Sequence, residues 1–310
     1  LCIVKVLECL SWASRHKLLG ETSTLSEKPY FVSSFLAKVL IDDLYKHLLS
    51  YESHWIFRGH ASETWILEST LERALKPIGW LPEMAKVCEE VALFKFQSKA
   101  HLYLSQEMLP KSTLGWLAMM QHHGIPTRLL DFTESPFIAL FFAFDDAKPT
   151  QSDNCAIWAL DYRSLMKSAL DYIKGKGETL TLSYEDVQKQ QDKYFEVVID
   201  KHSYDVLWTT EPGMLNLRLE RQLGSFLVCG NIGKQIAELI PEFLTRKSLK
   251  KIVIPIRLFG EIHNMLIRMG INHSKLFPDI DGLGKDIKEE ILFRTYQVLS
   301  GKTSSQAPES

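Results

Sequence analysis

No CxxC pair occurs anywhere in the 310 residues, and the five cysteines, Cys2, Cys9, Cys88, Cys155 and Cys229, are odd in number and widely spaced. That scarcity argues against a zinc ribbon or a disulfide framework and reads as reduced thiols in a cytoplasmic protein. Long apolar runs are missing as well. The most apolar end, Leu1 to Trp12, carries Lys5 and Glu8, is too short to span a bilayer and lacks the basic start of a signal peptide, so no membrane association is expected. Charge of either sign is not in excess. With 36 basic and 38 acidic side chains and a net charge of −2, the chain is no strongly basic nucleic-acid scaffold, although a local basic groove is compatible with that total. Internal repeats and a linker of interdomain length are also absent, which leaves one mixed domain as the simplest organisation. The chain opens without methionine, and its first two dozen residues are expected to stand outside that domain, as is a disordered tail over residues 301–310.

What is present is concentrated in Gln121 to Asp146, QHHGIPTRLLDFTESPFIALFFAFDD. Two histidines, an arginine and an aspartate fall within eleven residues, immediately before a phenylalanine-rich run. The residue before Pro126 is pushed toward extended conformations. Arg128 to Phe132 then forms a short strand with Leu129 and Leu130 buried. Thr133-Glu134-Ser135-Pro136 supplies hydroxyl caps and a first-turn proline, so a helix runs from Pro136 to about Asp146 with almost no polar face. Polar groups at a strand end and a helix N-terminus thereby stand on an apolar base, where free amides and a positive dipole end suit an anionic ligand.

Elsewhere the periodicities predict a helix over Tyr30 to Ser50, a short strand at Trp55-Ile56-Phe57 that stops at Arg58-Gly59-His60, a helical Leu71 to Ala74, and helices over Glu83 to Leu104 and Leu114 to His123. On the longer of these last two, Val87, Val91 and Phe94 share a face. Cys155 to Leu160 is a strand and Tyr162 to Leu170 a helix. Lys174 to Lys193 is a polar surface insertion or solvated helix carrying no core, and Val197 to Ile199 is a candidate strand. Leu215 to Cys229 alternates, breaks at Gly224 and turns apolar, which reads as strand, glycine bend, strand. A strand at Ile252 to Ile256, a helix over Gly260 to Met269, a turn over Leu276 to Lys285 and a last helix to about Leu299 complete an α+β chain.

Four segments in order, WIFRG at Trp55 to Gly59, QHHGIPTRLLDFTESPFIALFFA at Gln121 to Ala143, RLERQLGSF at Arg218 to Phe226 and LFPDIDGL at Leu276 to Leu283, resemble the FRG domain family, over about residues 25 to 297. That family is associated with bacterial and phage conflict systems and is distantly similar to ADP-ribosyltransferases. The resemblance implies a mainly antiparallel sheet core with surrounding helices, a single FRG domain over residues 25–300, NAD as substrate, and a toxin or phage-defence effector that transfers ADP-ribose to a protein or nucleic acid or hydrolyses NAD. An antitoxin or inhibitory partner would accompany it. Residue by residue, Arg58 before Gly59 matches the strand-borne NAD-binding position, and Thr133 beside Ser135 matches the hydroxyl at a strand-to-helix junction. Glu220 or Gln222 falls where the late-strand carboxylate belongs, although Gln222 occupies the place at which the transferases usually show glutamate. His122 or His123 would donate a hydrogen bond or act as base, and Arg128 would add to NAD binding. The chemistry needs these types, because nicotinamide departure builds positive charge on ribose and the planar fork of arginine matches pyrophosphate oxygens.

Plainer roles compete with each. Arg58 also suits an ion pair closing a strand end, with Asp131. Arg128 and Asp131 suit pairing with neighbours that hold the motif in shape. His122 and His123, being adjacent, cannot both face one site. Two other functions remain open at this level. One is a metal-dependent nuclease or phosphoesterase using His122, His123, Asp131 and Asp281, and the other is a non-catalytic module that binds nucleotide or nucleic acid through Arg58 and Arg128.

Overall fold

A computed structural model describes residues 41–145, 147, 151–176, 183–213 and 217–299. Its centre is a six-stranded sheet made of β1 (Trp55–His60), β2 (Leu130–Thr133), β3 (Cys155–Asp161), β4 (Leu207–Thr210), β5 (Gly224–Cys229) and β6 (Leu249–Ile254). The spatial order is β4-β5-β2-β1-β3-β6, and every neighbouring pair is antiparallel. The protein is therefore α+β. Sequence-distant strands meet at the middle, where β1 lies between β2 and β3.

Helices cover both faces, which explains why β3 reads as the nearly unbroken apolar run CAIWAL. Cys155, Ile157 and Ala159 join one core, together with Trp55, Phe57 and the helices α1 (Ile41–Leu49), whose Leu44 and Leu48 are buried, and α5 (Pro136–Asp145). Trp158 and Leu160 join the opposite core, with Ile56, Leu130 and residues of α4 (Thr113–His122) and α6 (Tyr162–Gly175). Between β1 and α4 lie α2 (Thr70–Leu75) and α3 (Pro82–Ala100). A capping box at Ser69 starts α2, and the buried Glu72 that completes it also accepts from the Ile236 amide, tying the box to a distant helix.

Helix α5 seats directly on β1 because β1 carries a glycine there. A Cβ at Gly59 would lie 2.0 Å from the Ala139 carbonyl oxygen and 2.4 Å from the Ala143 nitrogen. The two alanines are one turn apart, so helix backbone touches strand backbone and any side chain would force them apart. The N-terminus of α5 begins at Ser135, whose hydroxyl accepts from the Ile138 amide at 3.3 Å, as expected from the sequence.

Several expectations are revised. Strand β1 runs on through Arg58, Gly59 and His60, since β3 pairs with it over its whole length, from Trp55 opposite Asp161 to His60 opposite Ala156. The segment Phe195–Ile199 is a π-helical turn with Val198 and Ile199 buried, because an apolar run so short satisfies either period. Leu217–Arg221 is a helix, α9, whose alternating pattern marks one buried residue, Leu219, and the bend before β5 uses Leu223 at φ 45° with Gly224 opening the strand. The polar segment contributes to the core after all. Its helix α7 (Tyr184–Lys189) inserts Val187 fully into the interior and is followed by α8 (Gln191–Tyr194). Strand β4 and helix α10 (Ile236–Phe243) had no sequence expectation, and Trp208 of β4 is completely buried. The chain closes with α11 (Phe259–Arg268), α12 (His273–Leu276) and α13 (Ile280–Leu299). The expectations for residues 1–40, including the first part of the Tyr30 helix, and for residues 301–310 lie outside the described residues.

Candidate functional site

The two middle strands diverge. Among the described residues β1 and β2 share one registered position, Phe57 opposite Thr133, and the antiparallel register would next bring Asp131 opposite Gly59. That pairing is replaced by a side chain. The Nη1 of Arg58 donates to the Asp131 carbonyl oxygen at 2.7 Å, holding the strand edge at guanidinium length. Beyond this point opens a cleft of about 900 Å³.

Arg58 is gripped from a second side. Its Nε donates to His60 Nε2 at 3.1 Å, which puts the imidazole proton on Nδ1. Burial, then Arg58 and Lys251, push the His60 pKa down to about 3, against a backbone hydrogen bond at Trp65 that pulls it up, so His60 is a neutral acceptor at physiological pH. The Arg58 pKa falls to about 10 through burial, with Asp131 opposing and Arg73 adding to the fall, and the group stays cationic near neutrality. The Asp131 carboxylate stands 3.9 Å from Nη1, a loose ion pair. Nη2 has no hydrogen-bond partner among the described residues.

The walls come from elements far apart in sequence. The loop after β1 contributes Trp65, which is half exposed and edge-on to His60, and α2 with the turn after it contributes Arg73 and Lys76. Phe142 and Asp145 come from α5. Arg218 and Gln222 come from α9 and its C-terminal turn, and Phe277 and Lys285 from the α12–α13 region. Arg218 lies 4.6 Å over the Phe277 ring and Lys285 lies 5.4 Å from it, so one aromatic ring gathers two cations. Burial lowers the Arg218 pKa, opposed by Asp131 and Asp279.

Basic residues on the walls (Arg58, Arg73, Lys76, Arg218, Lys285) outnumber the acidic ones (Glu68, Asp131, Asp145). Two of the acids are already engaged. Glu68 binds Lys76 at 2.7 Å, and Asp145 binds His273 at 2.7 Å. Asp131, 54% exposed, is the carboxylate left facing the cleft. A cationic, aromatic-walled cleft of this size suits an anionic ligand bearing rings.

Of the residues singled out from sequence, Arg58, Gly59, Asp131, Thr133 and Gln222 line this cleft. Thr133 donates from its hydroxyl to the Gln222 carbonyl at 2.7 Å and accepts from the Ser135 amide, while the Gln222 amide donates to the Leu276 carbonyl at 3.2 Å. These bonds join β2, α9 and α12 into one wall. Ser135 serves as the helix cap one step behind it. Glu220 is exposed on α9 and is not part of the lining.

The histidine pair ends α4. Gly124 at φ 76° closes that helix, with the Ile125 amide bonding the Met120 carbonyl and the Gly124 amide that of Gln121. His122 is half-buried and its carbonyl accepts from Arg218, so it supports the cleft wall through its backbone. Burial, Arg218 and His123 lower the His122 pKa, against Asp279. His123 is exposed with its ring against Phe96.

Arg128 is elsewhere, in a closed ion-pair network under β2. It binds Glu89 at 2.8 Å and Asp200 at 2.6 Å, donates to His202 Nδ1 at 3.0 Å and stacks on Phe195. Its own backbone amide donates to Glu89 as well. Both carboxylates and the guanidinium are thus consumed locally.

For a metal, the described residues bring together one group of three candidate ligands, Asp145, His273 and Glu289, which includes none of His122, His123, Asp131 and Asp281. Both ring nitrogens of His273 are taken by carboxylates, at 2.7 and 2.9 Å, and these partners raise its pKa to about 9 despite burial. The group is an imidazolium clamped between two acids, and it joins α5, α12 and α13.

Trp65, Arg73, Lys76, Phe277 and Lys285 were not singled out from sequence. Phe277 belongs to the LFPDIDGL segment and the others to segments without a motif of their own, and only the meeting of those segments gives them a shared role.

Comparison with family models matches the FRG domain to residues 53–152. That match covers about a third of the chain. The matched segment holds β1, β2 and α5 and therefore the Arg58–Asp131 contact, whereas Arg218, Gln222, Phe277 and Lys285 lie beyond it. No curated protein and no solved structure matches the chain.

Proposed function

We propose that the cleft binds NAD and that the protein acts on the bond between nicotinamide and ribose, as an ADP-ribosyltransferase-like enzyme or an NAD hydrolase. The observation that carries this reading is Arg58, a guanidinium fixed on two sides between diverging strands with Nη2 left over for a ligand oxygen. A pyrophosphate accepts from such a fork, and Arg218 and Lys285 lie along the same cleft to share its charge. Trp65, half exposed, offers a ring face for one of the bases, while Phe277 holds Arg218 in place over its ring.

Cleavage breaks the glycosidic carbon–nitrogen bond. Nicotinamide leaves with the bonding electrons, positive charge grows on the ribose, and water or a nucleophile on a macromolecule then bonds to that carbon and gives up a proton. Asp131, between Arg58 and Arg218 and half exposed, is the carboxylate suited to stabilise that charge, in the role the family resemblance assigned to Glu220 or Gln222. Gln222 acts as a wall through its amide. An enzyme that consumes so central a cofactor fits a toxin or defence effector restrained by an inhibitory partner.

Titration calorimetry with NAD, beside an assay of nicotinamide release with and without cell lysate, tests this. Wild type is expected to bind and release, Arg58→Ala to lose binding, and Asp131→Asn to bind while releasing nicotinamide far more slowly. Binding without release in wild type would favour a nucleotide-binding module, a reading the neutral amide of Gln222 also supports. No binding at all would sink the proposal.

A further inference from the structure

Helix α3 turns its apolar stripe outward. Met84, Val87, Val91 and Phe94 recur at alternating intervals of three and four and are 44%, 48%, 45% and 72% exposed. The opposite face does the packing, through the buried Ala85 and Glu89 and the half-buried Ala92 and Phe96. Leu102 and Tyr103, just past the helix end, are exposed too. An apolar seam with this spacing is the pattern by which one helix recognises another, and a monomer gains nothing from wetting it.

The charges beside the seam say which helix fits. Glu83 and Glu90 run along one flank, and Lys95 and Lys99 along the other. When two copies of α3 lie parallel across a two-fold axis, the acidic flank of each meets the basic flank of its mate, and Glu90 comes opposite Lys95 of the second copy twice over. An antiparallel pair would set acid against acid and base against base. Glu90 is engaged within its own helix only by a 3.8 Å contact to Lys86, exposed on both sides and easily exchanged.

We propose that the protein dimerises through α3, two copies packing their Met84–Phe94 seams in parallel, with Glu90 and Lys95 selecting that orientation. The surface is separate from the cleft, and the proposal does not depend on the function of that cleft.

Sedimentation velocity and equilibrium on the full chain test it. Wild type is expected to show a reversible dimer with a Kd of about 1–100 μM, as suits a short seam. Phe94→Glu, at an exposed position, should be folded by circular dichroism and monomeric. Glu90→Lys alone and Lys95→Glu alone should each weaken the dimer about tenfold or more, and the double reversal should restore it, because each flank again meets its opposite. A wild type that is monomeric throughout that range overturns the proposal, whatever else is later found on the seam. So does a double reversal no stronger than the singles, or a dimer indifferent to Phe94→Glu.

Discussion

Arg58 and Asp131 meet through a side chain and a backbone: Nη1 of the first donates at 2.7 Å to the carbonyl oxygen of the second, where two paired strands would exchange a ladder bond. The arginine thus both closes the sheet and opens the cleft. Arg58→Lys keeps the charge but cannot reach His60 Nε2 and the Asp131 carbonyl together. Loss of charged hydrogen bonds worth about 1.5–3 kcal/mol should lower stability in urea and weaken the NAD binding proposed for the cleft roughly 10–100-fold in calorimetry.

Gly59→Ala should be among the most damaging single-atom additions to this protein. The new Cβ meets helix backbone at 2.0 Å, and α5 must move off β1 to admit it. Overpacking of this kind costs about 1–3 kcal/mol or more, to be read as a lower urea midpoint, and the shifted strand should loosen ligand binding along with stability.

Glu89→Gln separates the Arg128 network from the cleft. The substitution keeps the shape of the side chain but removes one of the two carboxylates around a buried guanidinium; with Asp200 still at 2.6 Å, the loss of stability should fall below the ~3–5 kcal/mol of a wholly unpaired buried charge. Because Arg128 does not line the cleft, the NAD binding proposed for the cleft should be unchanged in the folded fraction. A protein of unchanged stability that fails to bind would overturn this assignment of Arg128.

His273 predicts a loss of stability in mild base. Its folded pKa, about 9, lies above the ordinary 6.5, so folding favours the protonated ring. The contribution is complete below about 6.5 and disappears as pH rises through about 9, and a shift of that size corresponds to on the order of 3 kcal/mol. Urea unfolding of wild type and His273→Asn at pH 6 and at pH 9.5 should show a large difference at the lower pH and a small one at the higher. Equal differences at both would refute the clamped imidazolium.

Much of this could be read along the chain, because helix periods, caps and strand runs depend on residues a few positions apart. The sequence alone determined the Ser135 cap and the apolar α5 behind it, the buried Leu129 and Leu130 and the strand at Cys155, and it singled out Arg58, Gly59 and Thr133, which the fold brings to one cleft. It misjudged Leu217–Arg221, where alternation and a single buried leucine look alike, and Val197–Ile199, where three apolar residues fit any buried element. Tertiary structure decided the rest. Whether Val91 faces in or out of α3 depends on which side Ala85 and Glu89 find a partner, and whether Arg128 meets a ligand or a carboxylate depends on Glu89 and Asp200, which are 39 and 72 residues away. The cleft itself is such a product, since it exists only where β1 leaves β2 and segments far apart in sequence, bearing Trp65, Arg218 and Phe277, close around the gap.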